Sequence, residues 1–168
     1  MHTLVIEIAE LHNLGIVSKI IFSPFCELVT PLDVINQWNC SQNREHGTVG
    51  TGFKSVLDRV KNGYSLTIAD ASNLLVLREK IYNIQHNYYK FTSEVPTQNL
   101  DEWIIGANKI ANAAILEDID YLNNYSNLVF EGSQGILLDQ KHGVMPYCTP
   151  SYTTSKNAME IIKNLNRT

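Results

Sequence analysis

The sequence predicts a helix-rich α/β protein with few short strands. Apolar residues recur at helical spacing along most of the 168 residues, whereas short β-branched and apolar runs occur only near residues 19–30 and 128–130. The last of these runs leads into a polar loop that contains Gly132 and Gly135. Open α/β sheets bind their ligands at such loops, outside the carboxyl ends of the strands. We therefore expect one α/β domain over residues 1–168, with a ligand site after the last strand.

Composition narrows the class of protein. The chain is 44% hydrophobic and 18% charged, which is typical of a globular domain. Its net charge of −4 argues against a nucleic-acid binder, which normally carries a basic face. No apolar run reaches the length of a membrane helix, and the first residues lack the basic region and cleavage site of a signal peptide. We therefore expect a cytoplasmic protein with neither a nucleic-acid nor a membrane partner.

The first third of the chain predicts two helices and two strands. An apolar stripe over residues 4–14 predicts a helix that Gly15 ends. Residues 19–22 and 26–30 are predicted strands, since both are short and apolar and Ser23-Pro24 separates them. Pro31 suits the first turn of the next helix, because backbone N–H groups at that position have no partner within the helix and proline lacks one.

The remaining elements are mostly helices. Residues 41–52 are polar, rich in glycine and without periodicity, so they predict a loop. The last strand is predicted at residues 128–130. Helices are predicted at 54–61, at 72–89 with Leu75, Leu77, Ile81 and Ile84 on one face, at 100–119 with Trp103, Ile104, Ala107, Ile110, Ala111 and Ala114 on one face, and at 156–164. The aromatic residues Tyr82, Tyr88, Tyr89 and Phe91 are typical of a core and its rim.

Two loops carry candidate binding residues. The first, residues 47–52, is rich in glycine and precedes a predicted helix, and helix starts favour anions such as phosphate. It lacks the glycine-lysine-serine/threonine ending of a Walker loop. In the second, the Gln134 amide both donates and accepts hydrogen bonds, as the edge of a purine does. The polar residues that follow are Asp139, His142, Thr149, Thr153 and Thr154. We expect Asp139 and His142 to fix this loop by hydrogen bonds.

The residues of both loops resemble those of the adenylosuccinate synthetase family. The family motif glutamate-glycine-alanine-glutamine-glycine, then aspartate, then histidine-glycine, then proline and threonine, is similar to Glu131-Gly132-Ser133-Gln134-Gly135, Asp139, His142-Gly143, Pro146 and Thr149. The family's following threonine pair falls on Thr153-Thr154. Upstream, residues 46–52 resemble the family's glycine-threonine-threonine-glycine loop. The order and approximate spacing of these blocks agree with the family.

The resemblance implies a fold and an activity. The fold is a partial P-loop-NTPase-like adenylosuccinate synthetase fold, and the chain corresponds to the central, IMP-binding part of the enzyme. Members of the family join IMP to L-aspartate with hydrolysis of GTP, on the route to AMP. The resemblance therefore implies IMP and L-aspartate as partners, GTP and Mg²⁺ as cofactors whose ligands lie outside this chain, and a homodimer.

The resemblance also assigns residues. It implies that Thr48, Gln134 and Thr149 bind IMP. Val49 stands where the family has a phosphate-contacting threonine, so Thr48, Thr51 or the loop amides, Gly50 among them, are candidates to replace it. The family also supplies an arginine from the partner subunit shortly after this loop. Its position falls on Gly63, and Arg59, the nearest arginine, is a candidate for phosphate binding. No residue of the chain is assigned to catalysis or to a metal.

Departures from the family leave alternatives open. The family's phosphate loop, with its catalytic aspartate, lysine and histidine, and its guanine-recognition motif have no counterpart in these residues, so we expect the chain by itself to be inactive. Ser155-Lys156-Asn157 replaces alanine-glycine-glycine. One alternative is a non-catalytic purine-nucleotide-binding or interaction protein on the same scaffold. Another is a sister ligase for a modified purine nucleotide, such as a 2-amino purine.

Overall fold

The architecture is helix-rich α/β, as the sequence predicts. A computed structural model describes residues 2–17, 19–39, 50–91 and 97–165. Its α-helices and β-strands are α1 His2–Asn13, β1 Ile21–Phe22, α2 Pro31–Asn39, α3 Phe53–Lys61, α4 Ile68–Ala71, α5 Leu74–Asn83, α6 Thr97–Ala113, β2 Ile115–Leu116 and α7 Lys156–Asn164. A π-helix, Ile84–Tyr88, follows α5, and 3-10 turns span Ile119–Asn124 and Ile136–Leu138. Among these residues no helix is long and apolar enough to cross a membrane.

The described strands form one short parallel pair. Ile21 lies opposite Ile115 and Phe22 opposite Leu116, and the Glu117 amide donates to the Phe22 carbonyl oxygen at 3.0 Å. Parallel strands need a crossover, and here α2 to α6 supply it. The prediction of one helix over 100–119 is therefore wrong at its end, because pairing with β1 takes Ile115 and Leu116 into the sheet.

The apolar stripes of the helices build one core. Ile104, Ala107 and Ala111 of α6 are buried, as predicted. The apolar face predicted for residues 72–89 is correct for Leu77, Ile81 and Ile84, which are buried. It is wrong for Leu75, which is 79% exposed. The core residues are Leu28, Leu32, Leu66, Ile68, Ala71, Leu77, Ile81, Ile84, Leu100, Ile104, Ala107 and Ala111.

Two predicted strands are not strands in the structure. Residues 26–30 form only one isolated antiparallel bridge, between Glu27 and Thr67, because the facing segment turns at once into α4. Residues 128–130 have no sheet partner in the described part of the chain, and Val129 is 96% exposed. A strand needs a neighbour to take up its main-chain hydrogen bonds, so an apolar run alone does not make one.

The described residues fall into two compact units. The N-terminal unit holds the described residues up to 39 and those from 50 to 117, and the C-terminal unit holds those from 118 to 165. A compact unit need not fold by itself, so the single domain over residues 1–168 stays a prediction. Most of the predicted loop 41–52 lies outside the described residues, as do Thr48 and Val49.

Candidate functional site

Asp139 organises the polar loop of the C-terminal unit. Its side chain is fully buried. One carboxylate oxygen accepts the amides of Lys141 at 2.9 Å and His142 at 3.1 Å, and the other accepts the Thr153 amide at 2.7 Å. Burial opposes ionisation, but these hydrogen bonds and the one from the His142 ring outweigh it and hold the pKa of Asp139 well below its usual range. The Asp139 carboxylate thus binds the backbone of Thr153, which lies 14 positions further along the chain.

His142 has the structural role that the sequence predicts. Its Nδ1 lies 3.0 Å from Oδ1 of Asp139, and its side chain is 51% exposed. Because the carboxylate can only accept, Nδ1 carries the proton, and the other ring nitrogen is left to act as an acceptor in the neutral ring. The predicted fixing of the loop by Asp139 and His142 is confirmed.

Main-chain contacts hold the rest of this loop. The Thr149 amide donates to the Leu138 carbonyl oxygen at 2.8 Å, and the Gly143 amide donates to that of Asp139 at 2.8 Å. A Cβ on Gly143 would lie 2.6 Å from the carbonyl oxygens of both Leu137 and Asp139. No other residue fits there without a shift of the backbone, which explains the glycine after His142.

A cleft of about 520 Å³ lies beside this loop. Residues 130–134 line one part of it, residues 151–155 line another, and Asn157, Ala158 and Ile161 of α7 complete it. The structure thus brings Gln134 together with Thr153 and Thr154, the pair on which the family threonines fall. The cleft thus combines the side-chain amide of Gln134, the threonine hydroxyls and the first residues of α7. This mixture of hydrogen-bond donors and acceptors suits a ligand in which donors and acceptors alternate.

Thr149 lies apart from the lining of this cleft. Its hydroxyl is 3.3 Å from the Ser151 hydroxyl, and Ser151 is itself a lining residue. The structure therefore connects Thr149 to the cleft through one side chain. Its predicted contact with IMP is not tested by this arrangement.

The N-terminal unit contains the described part of the glycine loop, which we call the glycine turn, Gly50–Gly52. Gly50 and Gly52 have positive φ angles of 73° and 86°. A Cβ on Gly50 would lie 2.4 Å from the Trp38 ring, and one on Gly52 would lie 3.1 Å from the Val34 nitrogen. Both conformation and space therefore require glycine. Thr51 between them is exposed, directly before the first turn of α3.

The structure places Arg59 inside the N-terminal unit. Its side chain is fully buried. Nε donates to Asp33 Oδ1 at 2.8 Å, and the other guanidinium nitrogens donate to the carbonyl oxygens of Tyr64 and Leu28. Glu27 lies 3.4 Å away. A guanidinium enclosed in this way holds segments of the protein together, and the sequence-based assignment of Arg59 to phosphate binding stays a prediction.

The network around Asp33 was missed at the sequence level. Asp33 is fully buried and accepts the Thr30 amide at 2.7 Å, the Thr30 hydroxyl at 2.7 Å and the Tyr89 hydroxyl at 2.7 Å. One signal was available, since threonine followed three positions later by an acidic residue is the pattern of a capping box. Nothing local indicated Tyr89, which lies 56 positions away from Asp33.

Comparisons with known proteins agree with the motifs. The model of the adenylosuccinate synthetase family matches residues 1–164. The chain is 32% identical to the adenylosuccinate synthetase of Vesicomyosocius okutanii, covering 95% of this chain and 40% of that protein. It is 28% identical to the adenylosuccinate synthetase of Buchnera aphidicola, covering 89% of this chain and 38% of that protein. The chain thus spans about two fifths of the length of these relatives. On this evidence, the chain belongs to the adenylosuccinate synthetase family.

Proposed function

We propose that this chain provides the IMP-binding elements of an adenylosuccinate synthetase. The reaction is the GTP-dependent ligation of IMP with L-aspartate in AMP biosynthesis, on a P-loop-NTPase-like synthetase scaffold. The observation that carries the proposal is the cleft that joins Gln134 to Thr153 and Thr154, in a chain whose family model covers residues 1–164. The proposal includes a cytoplasmic homodimer, as the resemblance implies.

The proposal concerns the candidate site residues that the structure describes. The Gln134 amide pairs with the purine edge, because it offers a donor and an acceptor side by side. Thr149 contacts the 5′-phosphate of IMP. The glycine turn, with the Thr51 hydroxyl and the start of α3, contributes to phosphate binding, since the first amides of a helix favour anions. The proposal assigns no ligand contact to Arg59, because its guanidinium is buried and bonded within the protein.

GTP and Mg²⁺ are not assigned to residues of this chain. Among the described residues no group of three or more histidine, cysteine, aspartate or glutamate side chains is placed to hold an ion. GTP and Mg²⁺ enter this proposal through the family resemblance alone.

A second candidate is a purine-nucleotide-binding protein without catalysis. Two departures from the family favour it, namely Val49 at the position of the phosphate-contacting threonine and Ser155-Lys156-Asn157 in place of alanine-glycine-glycine. This candidate shares the IMP cleft with the first and differs from it only in the absence of turnover.

Calorimetric titration with IMP tests the proposal, with GTP as the comparison ligand. Gln134→Ala removes an amide that lines the cleft, and the matched control Gln140→Ala removes an exposed amide of the same loop that does not line it. Losing one good hydrogen bond costs on the order of 1 kcal/mol, so we expect Q134A to weaken IMP binding roughly fivefold. We expect Q140A to bind as the wild type does.

Two results would overturn the proposal. One is a folded wild-type chain that shows no saturable IMP binding. The other is a Q134A variant that binds IMP as tightly as Q140A. If IMP binds, a turnover assay with GTP and L-aspartate separates the ligase from the non-catalytic binder.

A further inference from the structure

Tyr89 lies at the end of an unusual helical segment. The Tyr89 amide donates to the Ile84 carbonyl oxygen at 2.9 Å, five positions back, so the π-helix Ile84–Tyr88 widens the last turn after α5. The Tyr89 ring stacks on Phe91 with centroids 5.2 Å apart. Single π-turns in proteins occur frequently at functional sites. Here the wide turn carries one tyrosine toward α2.

The Tyr89 hydroxyl touches both helices that flank the glycine turn. It donates to Oδ1 of Asp33, on α2, at 2.7 Å. It also lies 3.5 Å from the carbonyl oxygen of Ser55, in the first turn of α3. Two further contacts join the same helices: the side-chain amide of Asn36 donates to the Ser55 hydroxyl at 3.1 Å, and the Arg59 guanidinium of α3 donates to Asp33 of α2 at 2.8 Å. The Tyr89 hydroxyl is thus one of the contacts that hold α2 and α3 together at the level of Asp33.

The glycine turn is packed on the part of α2 that Tyr89 contacts. A Cβ on Gly52 would lie 3.2 Å from the carbonyl carbon of Asp33, so the Gly52 backbone rests directly on that residue. Gly50 rests on the Trp38 ring, one helical turn and one residue further along α2. A shift of α2 against α3 at Asp33 therefore moves the surface on which both glycines lie.

We propose that Tyr89 is a positioning residue for the glycine turn, acting through Asp33 and the first turn of α3. Its hydroxyl keeps Gly50–Gly52 in the conformation that presents Thr51 and the start of α3 to a nucleotide phosphate. The identification of the ligand as a nucleotide phosphate rests on the proposed function, whereas the positioning of the glycine turn by Tyr89 does not. A hydroxyl with a purely structural role would add to the free energy of unfolding without affecting the turn in the folded protein.

Tryptophan fluorescence measures the turn without any ligand. The chain has two tryptophans, and Trp103→Phe leaves Trp38 as the sole reporter, with its ring against Gly50. In this background we compare acrylamide quenching in Tyr89→Phe, which keeps the ring but lacks the hydroxyl, with Tyr82→Phe. Tyr82 is 60% exposed and serves as the matched control. We expect Y89F to raise the quenching constant, by at most about twofold because Trp38 is already 49% exposed. Y82F should leave it unchanged.

Titration with IMP in the same variants gives the functional readout. We expect Y89F to weaken IMP binding by roughly fivefold, the size expected when one hydrogen bond to the ligand is misplaced. Y82F should bind as the wild type does. Lack of IMP binding by the wild type would defeat the proposed function, while the quenching comparison would still test the positioning.

A folded Y89F variant with the quenching constant of Y82F would overturn the inference. If Y89F unfolds in buffer, all variants are measured again in concentrated sucrose, which strengthens burial without contacting the site. A Y89F variant that stays unfolded even there would also overturn the inference, because Tyr89 would then be a folding residue and not a positioning residue.

Discussion

Replacing Arg59 by methionine should be among the most damaging single changes in the N-terminal unit. Methionine has an unbranched side chain of similar reach, but it lacks the guanidinium that binds Asp33, Glu27 and two carbonyl oxygens. Asp33 would remain fully buried without the guanidinium that pairs with it. The damage therefore comes from an uncompensated buried charge more than from lost packing.

The magnitude follows from burial. Removing one partner of a buried, hydrogen-bonded ion pair typically costs about 3–5 kcal/mol, whereas an exposed pair contributes about 0–1 kcal/mol. The chain offers an exposed pair of the same type, since Arg78 lies 3.1 Å from Asp101 with side chains 47% and 59% exposed. With an m-value of about 2 kcal/mol/M, Arg59→Met should lower the urea midpoint by roughly 2 M, and Arg78→Met by no more than about 0.5 M.

Urea unfolding followed by tryptophan fluorescence measures both variants, because Trp38 and Trp103 both belong to the N-terminal unit. Arg59→Lys is a third variant, which keeps a charge beside Asp33 but cannot reach both carbonyl oxygens with a planar fork. We expect its midpoint between those of the wild type and R59M. Equal midpoints for R59M and R78M would refute the reasoning, because burial would then make no difference to the value of the arginine.

Two further predictions concern the glycine turn and the polar loop. Gly52→Ala and Gly63→Ala impose the same strain, since both residues have φ of +86°, but only Gly52 has backbone within reach of a Cβ. In urea unfolding, G52A should therefore cost about 1–3 kcal/mol more than G63A. The lowered pKa of Asp139 makes its contribution to stability fully present above the unfolded carboxyl value of about 3.9 and lost as the pH falls below it. Asp139→Asn should remove this acid-dependent loss, as followed by NMR of the amides of residues 139–153.

Each of these predictions has its own control. For the turn, equal costs for G52A and G63A would show that the contact with α2 adds nothing to the backbone strain. For the loop, Asp120→Asn replaces an exposed carboxylate of the same unit and should keep the wild-type acid profile. A D139N variant whose loop melts with acid as the wild type does would contradict the assigned role of Asp139.

Some residues were assigned correctly from sequence because their role is local. The start of α2 is one such case: Pro31 opens this helix, as its lack of a backbone N–H predicts. The stripe on α6 is another, since helical spacing alone places Ile104, Ala107 and Ala111 on one face. Asp139 belongs to the same group, because two of its partners lie within three positions of it.

Other features were not foreseen because they depend on distant partners. Arg59 is bonded to a residue 26 positions away, and nothing in its neighbours distinguishes this from an exposed arginine. Ile115 and Leu116 continue the apolar pattern of α6 but pair with β1, more than 90 positions earlier. Residues 128–130 have the composition of a strand but no partner in the described part of the chain.

The sequence by itself determined the family and most of the helices. Motif order and helical periodicity are properties of neighbouring residues, so they can be read without knowing which segments meet. Only the tertiary structure decided that Arg59 is buried, that Gln134 shares a cleft with Thr153 and Thr154, and that the Tyr89 hydroxyl reaches Asp33. These facts depend on contacts between segments far apart in the chain, and a buried charge or hydroxyl gains its partner only when those segments pack together.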